Sequence, residues 1–170
     1  QTLEITKNVV ICVNLLDEAK RKGIEIDLDA LSKRLGVSVV GTVARKKKSL
    51  EKLLFELEKD EIKTAPYSVI YQPEIEEAIA LIEPALKKNL GEKLNNRWLS
   101  LRLLEPNNSF LKEIEKFYGF DILSLKEIEV AVSKAKALLE SYSISLERLK
   151  DMIASSIVSN AEILSQGIVS

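Results

Sequence analysis

Histidine is missing from all 170 residues, and Cys12 is the single cysteine. These absences exclude a Cys/His zinc site, a histidine general base and a histidine-ligated haem within the chain, and leave no internal disulfide to form. A metal held by this chain would need carboxylates. Aromatic residues are 5% of the total, with six glycines and four prolines, which argues against a collagenous, low-complexity or all-β chain. Apolar stretches are short, five residues at Val9–Val13, where crossing a bilayer takes roughly 18–20. No signal-peptide pattern opens the chain, so a soluble segment is expected. Neither sign of charge dominates: 25 Lys and Arg against 26 Asp and Glu give a net charge of −1, so no nucleic-acid partner is expected. With no initiator methionine, the chain reads as a piece of a longer protein.

What is present is a foldable, helix-rich chain. Hydrophobic residues reach 46% and charged residues 30%, enough to bury a core, and the many Leu, Ile, Glu and Lys residues favour helix. The first part alternates strand and helix signals. Val9–Val13 is a β-branched run of the kind buried on both faces of a parallel sheet, with Cys12 as a small buried hydrophobe. Helical sequence follows from Asp17 to Lys22 and stops at Gly23; Asp27 caps a second helix that ends at Gly36. Val37–Val43 reads as the next strand, and Ser49 as the cap of a helix with Leu50, Leu53, Leu54 and Leu57 on one face. Strand, helix, strand implies neighbouring parallel strands joined by a crossover.

Periodicity fails between Lys63 and Pro73, which places a domain boundary there. Everything after it reads as helix. One face carries Ile75, Ile79, Ile82, Leu86 and Leu90, with Pro84 as an expected kink; Trp98, Leu101 and Leu104 mark a second helix. Asn108 or Ser109 is placed to cap a third, and Ser124 with Glu127 forms a capping box for a fourth. Ser145 opens the last. Glu74, Glu76 and Glu77 form a carboxylate cluster, explained better by the macrodipole of a helix start than by iron binding. The basic run Arg45–Lys48 reads as a solvated loop.

The chemistry concentrates where the first strand ends, at Val13-Asn14-Leu15-Leu16-Asp17. An Asn at the carboxyl end of a parallel strand and an Asp at the following helix start would put an amide and a carboxylate on one planar ligand edge. Guanine suits them, because its N1–H and N2–H₂ are adjacent donors that one carboxylate accepts together, whereas adenine presents the opposite polarity. The bland alternative is that Asn14 ends a strand and Asp17 caps a helix. The end of the next strand, Gly41-Thr42-Val43-Ala44-Arg45, should reach the same ligand, and its small residues let backbone N–H groups approach.

Three segments carry a resemblance: 14–24 (NLLDEAKRKGI), Leu31-x-x-Arg34-Leu35-Gly36-Val37, and Thr42-Val43-Ala44-Arg45. Their order resembles the end of the GTPase domain of the ferrous iron transport protein B (FeoB) family. Residues 73–79 (PEIEEAI) and 96–105 (NRWLSLRLLE) are similar to the helical domain that follows it. The resemblance implies an α/β remnant, the last two strands of a P-loop GTPase-like parallel sheet, over residues 1–65, and an all-α helical domain over 66–170, mainly α in total. It implies a base-binding set of Asn14, Asp17, Thr42, Val43 and Ala44: Asp17 reads guanine N1 and N2, Asn14 braces the neighbouring loop, and the Ala44 N–H points to guanine O6. Leu15 replaces the lysine of most GTPases, as this family commonly does, and Val43 replaces the usual Ser.

For the parent protein the resemblance implies GTP or GDP with Mg²⁺, GTP-dependent Fe²⁺ uptake, a membrane-embedded permease as partner and a place at the cytoplasmic face of the cell membrane. This chain contains no Gly-x-x-x-x-Gly-Lys-Ser/Thr loop and no switch motifs, so by itself it is expected neither to grip phosphates nor to hydrolyse GTP. The remaining partners expected are the upstream part of the GTPase domain and another copy paired through an exposed sheet edge. Two rivals stay open: a helical interaction or adaptor module whose α/β stub binds no ligand, and another GTPase with an appended helical domain.

Overall fold

The structure is a computed structural model that describes residues 2–6, 8–59, 67–105 and 107–170. The expected boundary at 65/66 lies outside the described residues. Chain contacts divide the protein into two compact units, Gln1–Val69 with Val158–Ser170, and Ile70–Ile157.

In the first unit, α1 (Thr2–Ile5) precedes β1 (Val10–Val13); α2 (Leu16–Arg21) and α3 (Leu28–Leu35) then lead to β2 (Ser38–Gly41), and α4 (Lys47–Leu57) follows. β1 and β2 pair in parallel, with Val10 opposite Ser38 and Val13 opposite Gly41. The two-stranded parallel remnant is as expected, but β1 is not buried on both faces: its residues are half-buried, and Cys12 is exposed. A β-branched composition suits a strand to burial, but only flanking elements supply it, and among the described residues β2 alone pairs with β1. The leucines of α4 behave similarly, with Leu53 half-buried while Leu50, Leu54 and Leu57 are exposed.

The chain's last residues return to this unit. Ile26 and Val169 form an antiparallel bridge, closed by Glu25 N–H to Ser170 O at 2.8 Å, Ser170 N–H to Glu25 O at 3.0 Å and Asp27 N–H to Ile168 O at 2.9 Å. Arg34 donates to the Leu164 and Gln166 carbonyls at 2.9 and 2.6 Å, at the end of α9 (Leu146–Ser165), where free carbonyls attract a cation. Arg34→Ala should remove about 1 kcal/mol from this tie. Amide exchange at Asp27 and Ser170 is the measurement: it should quicken while the Leu99 amide stays unchanged.

The second unit is a helical bundle of α5 (Pro73–Leu90), α6 (Asn96–Leu104), α7 (Asn108–Tyr118), a 3₁₀ turn (Ile122–Ser124), α8 (Lys126–Ser141) and α9 up to Ile157. α5 buries Ile75, Ile79, Ile82, Leu86 and Leu90, the stripe read from the sequence, against α6 and α8. Pro84 lies within α5; it and Ala80, whose carbonyl it cannot serve, are both on the exposed side, where solvent can reach that carbonyl. α6 is buried almost all round, at Asn96, Leu99, Ser100, Leu101, Leu103 and Leu104. Trp98 is only half-buried, edge-on to Phe110 at 5.5 Å.

Two caps differ from expectation. Asn107 caps α7 through its Oδ1, which accepts from the Ser109 and Phe110 N–H groups. The box at Ser124 does not form, because the Ser124 hydroxyl donates to the Asp121 carbonyl of the 3₁₀ turn. Glu76 accepts both prongs of the Arg97 guanidinium at 2.5 Å and the Tyr71 N–H at 2.8 Å, so it joins α5 to α6 beyond any macrodipole role. Among the described residues no group of His, Cys, Asp and Glu could hold a metal ion, and no helix is long and apolar enough to cross a membrane.

Candidate functional site

The site grows from the ends of the two parallel strands. After Val13 the chain turns through Asn14, and Leu15 takes a left-handed conformation (φ 61°, ψ 31°) before α2 begins. That conformation strains a residue with a Cβ. It lets the Leu15 carbonyl accept from the Glu18 and Ala19 N–H groups, so α2 starts without a side-chain cap, and Asp17 lies inside its first turn rather than capping it.

The ladder runs on past Gly41. Thr42 N–H donates to Val13 O at 2.8 Å, and Leu16 N–H donates to Thr42 O at 3.3 Å. The Asn14 carbonyl oxygen then accepts from the Thr42 hydroxyl at 3.2 Å and from the Ala44 N–H at 3.3 Å. Because the Ala44 N–H is only a donor, the amide orientation of Asn14 is fixed and its N–H₂ is left without a partner among the described residues. Thr42 is 2% exposed, and its one proton goes to Asn14. Proton counting therefore makes the Cys12 thiol the donor in the 3.1 Å contact between Cys12 Sγ and Thr42 Oγ1.

Val43 to Lys46 form a tight turn closed by Lys46 N–H to Val43 O at 2.7 Å. Ser49 holds it: its hydroxyl lies 2.8 Å from both the Val43 and Lys46 carbonyls and accepts from the Val43 N–H at 3.1 Å. Ser49, expected as a helix cap, lies inside α4, which starts two residues earlier, and its hydroxyl is spent on the loop. A serine in the first turn of a helix that follows a strand end is the only signal that could have found this role.

The turn carries Arg45 to Asp17, and the two form an ion pair, Arg45 Nη2 donating to Asp17 Oδ2. Burial works to raise the Asp17 pKa. The Arg45 charge and hydrogen bond, with the N–H groups of Asp17 and Glu18, outweigh it and hold the carboxyl below its ordinary value. Asp17 is therefore an ionised acceptor at neutral pH.

The structure thus brings Asn14, Thr42 and Ala44 into one hydrogen-bonded cluster, ties Val43 to Ser49, and places Asp17 against Arg45. The Ala44 N–H meets Asn14 Oδ1, a different acceptor from the base oxygen that the resemblance assigned to it. A groove of about 1020 Å³ between α3, β2 and α4, with Leu28, Val39 and Phe55 in its walls, contains none of these five predicted residues.

Known proteins match both units. Residues 1–57 match the family model described as Ferrous iron transport protein B, and residues 71–170 match the FeoB cytosolic helical domain. The Fe(2+) transporter FeoB of Salmonella typhimurium is 31% identical over 109 residues, 62% of this chain and 14% of that protein. That of Campylobacter jejuni is 32% identical over 129 residues, 72% of this chain and 20% of that protein. The chain spans a fifth or less of the length of these relatives. Among solved structures, a GDP-bound NFeoB mutant from S. thermophilus superposes with a TM-score of 0.71 at 23% identity, over 98% of this chain and 60% of that one. The cytosolic domain of L. pneumophila FeoB gives 0.70 at 21% identity, over 99% and 59%. At these identities the structural likeness carries the fold, and the helical-domain model alone spans more than half of the residues. By fold and by sequence, the chain belongs to the FeoB family.

Proposed function

We propose that this chain is the guanine-reading end of a GTPase domain, residues 1–65, joined to a helical coupling domain, residues 66–170, in a GTP-dependent Fe²⁺ transporter. Asp17 accepts the N1–H and N2–H₂ of guanine, Asn14 braces the loop after β2, and Thr42, Val43 and Ala44 line the base. The observation that carries this reading is the Asn14 side chain, which ties the exit of β1 to the exit of β2 through Thr42 and Ala44.

The residues present fit the base: an ionised carboxylate stands in the first turn after β1, and the Asn14 N–H₂ at the same strand end has no partner among the described residues. They do not provide for the rest of the nucleotide. No phosphate loop occurs in the 170 residues, and among the described ones no acidic cluster offers Mg²⁺ a place. On this reading the chain alone hydrolyses no GTP and binds guanine nucleotides weakly, since it lacks the phosphate loop whose backbone N–H groups and helix N-terminus would hold the phosphates. The remaining strands of the sheet pair along the open edge of β1, where a second copy could also dock. A permease in the same protein receives the signal, and the segment works at the cytoplasmic face of its membrane.

The test is Asp17→Asn, with GDP and xanthosine diphosphate titrated into the chain and followed by amide chemical shifts. Xanthine presents a carbonyl where guanine has N2–H₂, so the new amide matches it and no longer matches guanine. Preference should reverse by roughly tenfold, the worth of one hydrogen bond to a charged group. Indifference to the substitution sinks the reading and leaves a helical interaction module.

A further inference from the structure

Arg45 is 76% exposed, and nothing in its burial compels it to touch another residue, yet its guanidinium is set against the one carboxylate that the proposed function gives to guanine. The chemistry of the two ligands is alike. A guanidinium and the N1/N2 edge of guanine both present parallel N–H donors in a plane, the pattern that a carboxylate accepts. Arg45 Nη2 donates to Asp17 Oδ2, so a base that comes to both carboxylate oxygens must share that oxygen with the guanidinium or displace it.

The placement is built rather than casual. Arg45 sits in the Val43–Lys46 turn, whose ends are pinned by Lys46 N–H to Val43 O and by the Ser49 hydroxyl. The same turn carries Ala44, which Asn14 holds. The loop that lines the candidate base site therefore also delivers a competitor for it. The competitor neutralises a carboxylate that is only 21% exposed.

We infer that Arg45 is a built-in competitor for Asp17: its guanidinium holds a carboxylate oxygen that the guanine edge also uses, and base binding displaces it into solvent. This rests on the base-reading role of Asp17. Arg45 then sets how readily the site fills, and screening by salt loosens its hold.

Guanosine is the probe, because without phosphates it gives Arg45 no second attraction. Followed by amide chemical shifts, Arg45→Ala should bind guanosine about twofold to fivefold more tightly than the unaltered chain, the range that an exposed ion pair commands. The gap should narrow as NaCl rises from about 0.02 to about 0.5 M. Equal or weaker binding by Arg45→Ala overturns the inference, as it would if the guanidinium instead stacked on the base. Asp17→Asn separates the two claims. If it turns preference from guanosine to xanthosine while Arg45→Ala binds no tighter, only the competitor fails; if it leaves preference unchanged, or if no form responds to guanosine, both fail. A ligand-free arm reads the contact itself. The Asp17 carboxyl, titrated by carbon-13 shifts, should move up in Arg45→Ala, and an unmoved titration overturns the inference.

Discussion

Replacing Ile82 with alanine should lower the stability of the helical unit by about 2–5 kcal/mol. Ile82 is wholly buried in the middle of the α5 stripe, between Ile79 and Leu86, which are buried as completely. Close packing leaves such a site little room to relax, so the lost transfer energy and the cavity add. Trp98, the only tryptophan, is edge-on to Phe110 inside this unit, and its fluorescence in urea is the measurement. Leu81, one position along and 42% exposed, is the control, and its alanine substitution should stay within about 0.5 kcal/mol. Equal shifts for the two would mean that the α5 stripe is not the core of the bundle.

The same burial pattern ranks the units. Among the described residues the first unit buries only Val37, Val40, Val69 and Ile168 as apolar side chains, while the second holds the remainder of the core. A two-stranded parallel sheet with so little covered surface opens readily. The β1 amides should therefore exchange faster than those of α5.

What the sequence disclosed follows the range of the signal. The α5 face was legible because helical periodicity is local, and a residue's neighbours three and four places away decide which side it covers. The parallel pairing of two β-branched runs followed from strand, helix, strand order. The exposure of Cys12 and of the α4 leucines was not legible, because composition says what a surface could bury and not what lies against it. Pairings between distant residues were invisible for the same reason. Arg97 with Glu76 is 21 positions apart, and Arg45 with Asp17 is 28. At the candidate site the residue types were readable one strand end at a time. The tie between Asn14 and Ala44, the Ser49 brace and the left-handed Leu15 depend on how two strand ends meet in space.

The Glu76–Arg97 pair should make the helical unit sensitive to acid in a way that one substitution isolates. Burial works to raise the Glu76 pKa; the Arg97 hydrogen bonds, the Tyr71 N–H and the Arg97 charge outweigh it, so the folded value lies below the ordinary 4.5. A carboxyl whose pKa is depressed by folding contributes stability that is whole above its unfolded value and is lost as pH falls below it. The loss should therefore begin near 4.5 and deepen as pH drops further through the folded pKa. Glu76→Gln keeps the size of the side chain and an acceptor for Tyr71, but only one oxygen and no charge for the Arg97 fork. At neutral pH it should cost about 1–3 kcal/mol, the range for charge-assisted hydrogen bonds at a half-buried position. Urea midpoints for the two proteins, taken from about pH 3 to about pH 7, should be well apart at neutrality and converge in acid. Asp17 and Glu127 also have lowered pKa values, but they titrate alike in both proteins and cancel in the difference. Two curves that stay parallel down to the acid end would mean that Glu76 holds Arg97 and Tyr71 without its charge, as a neutral acceptor would.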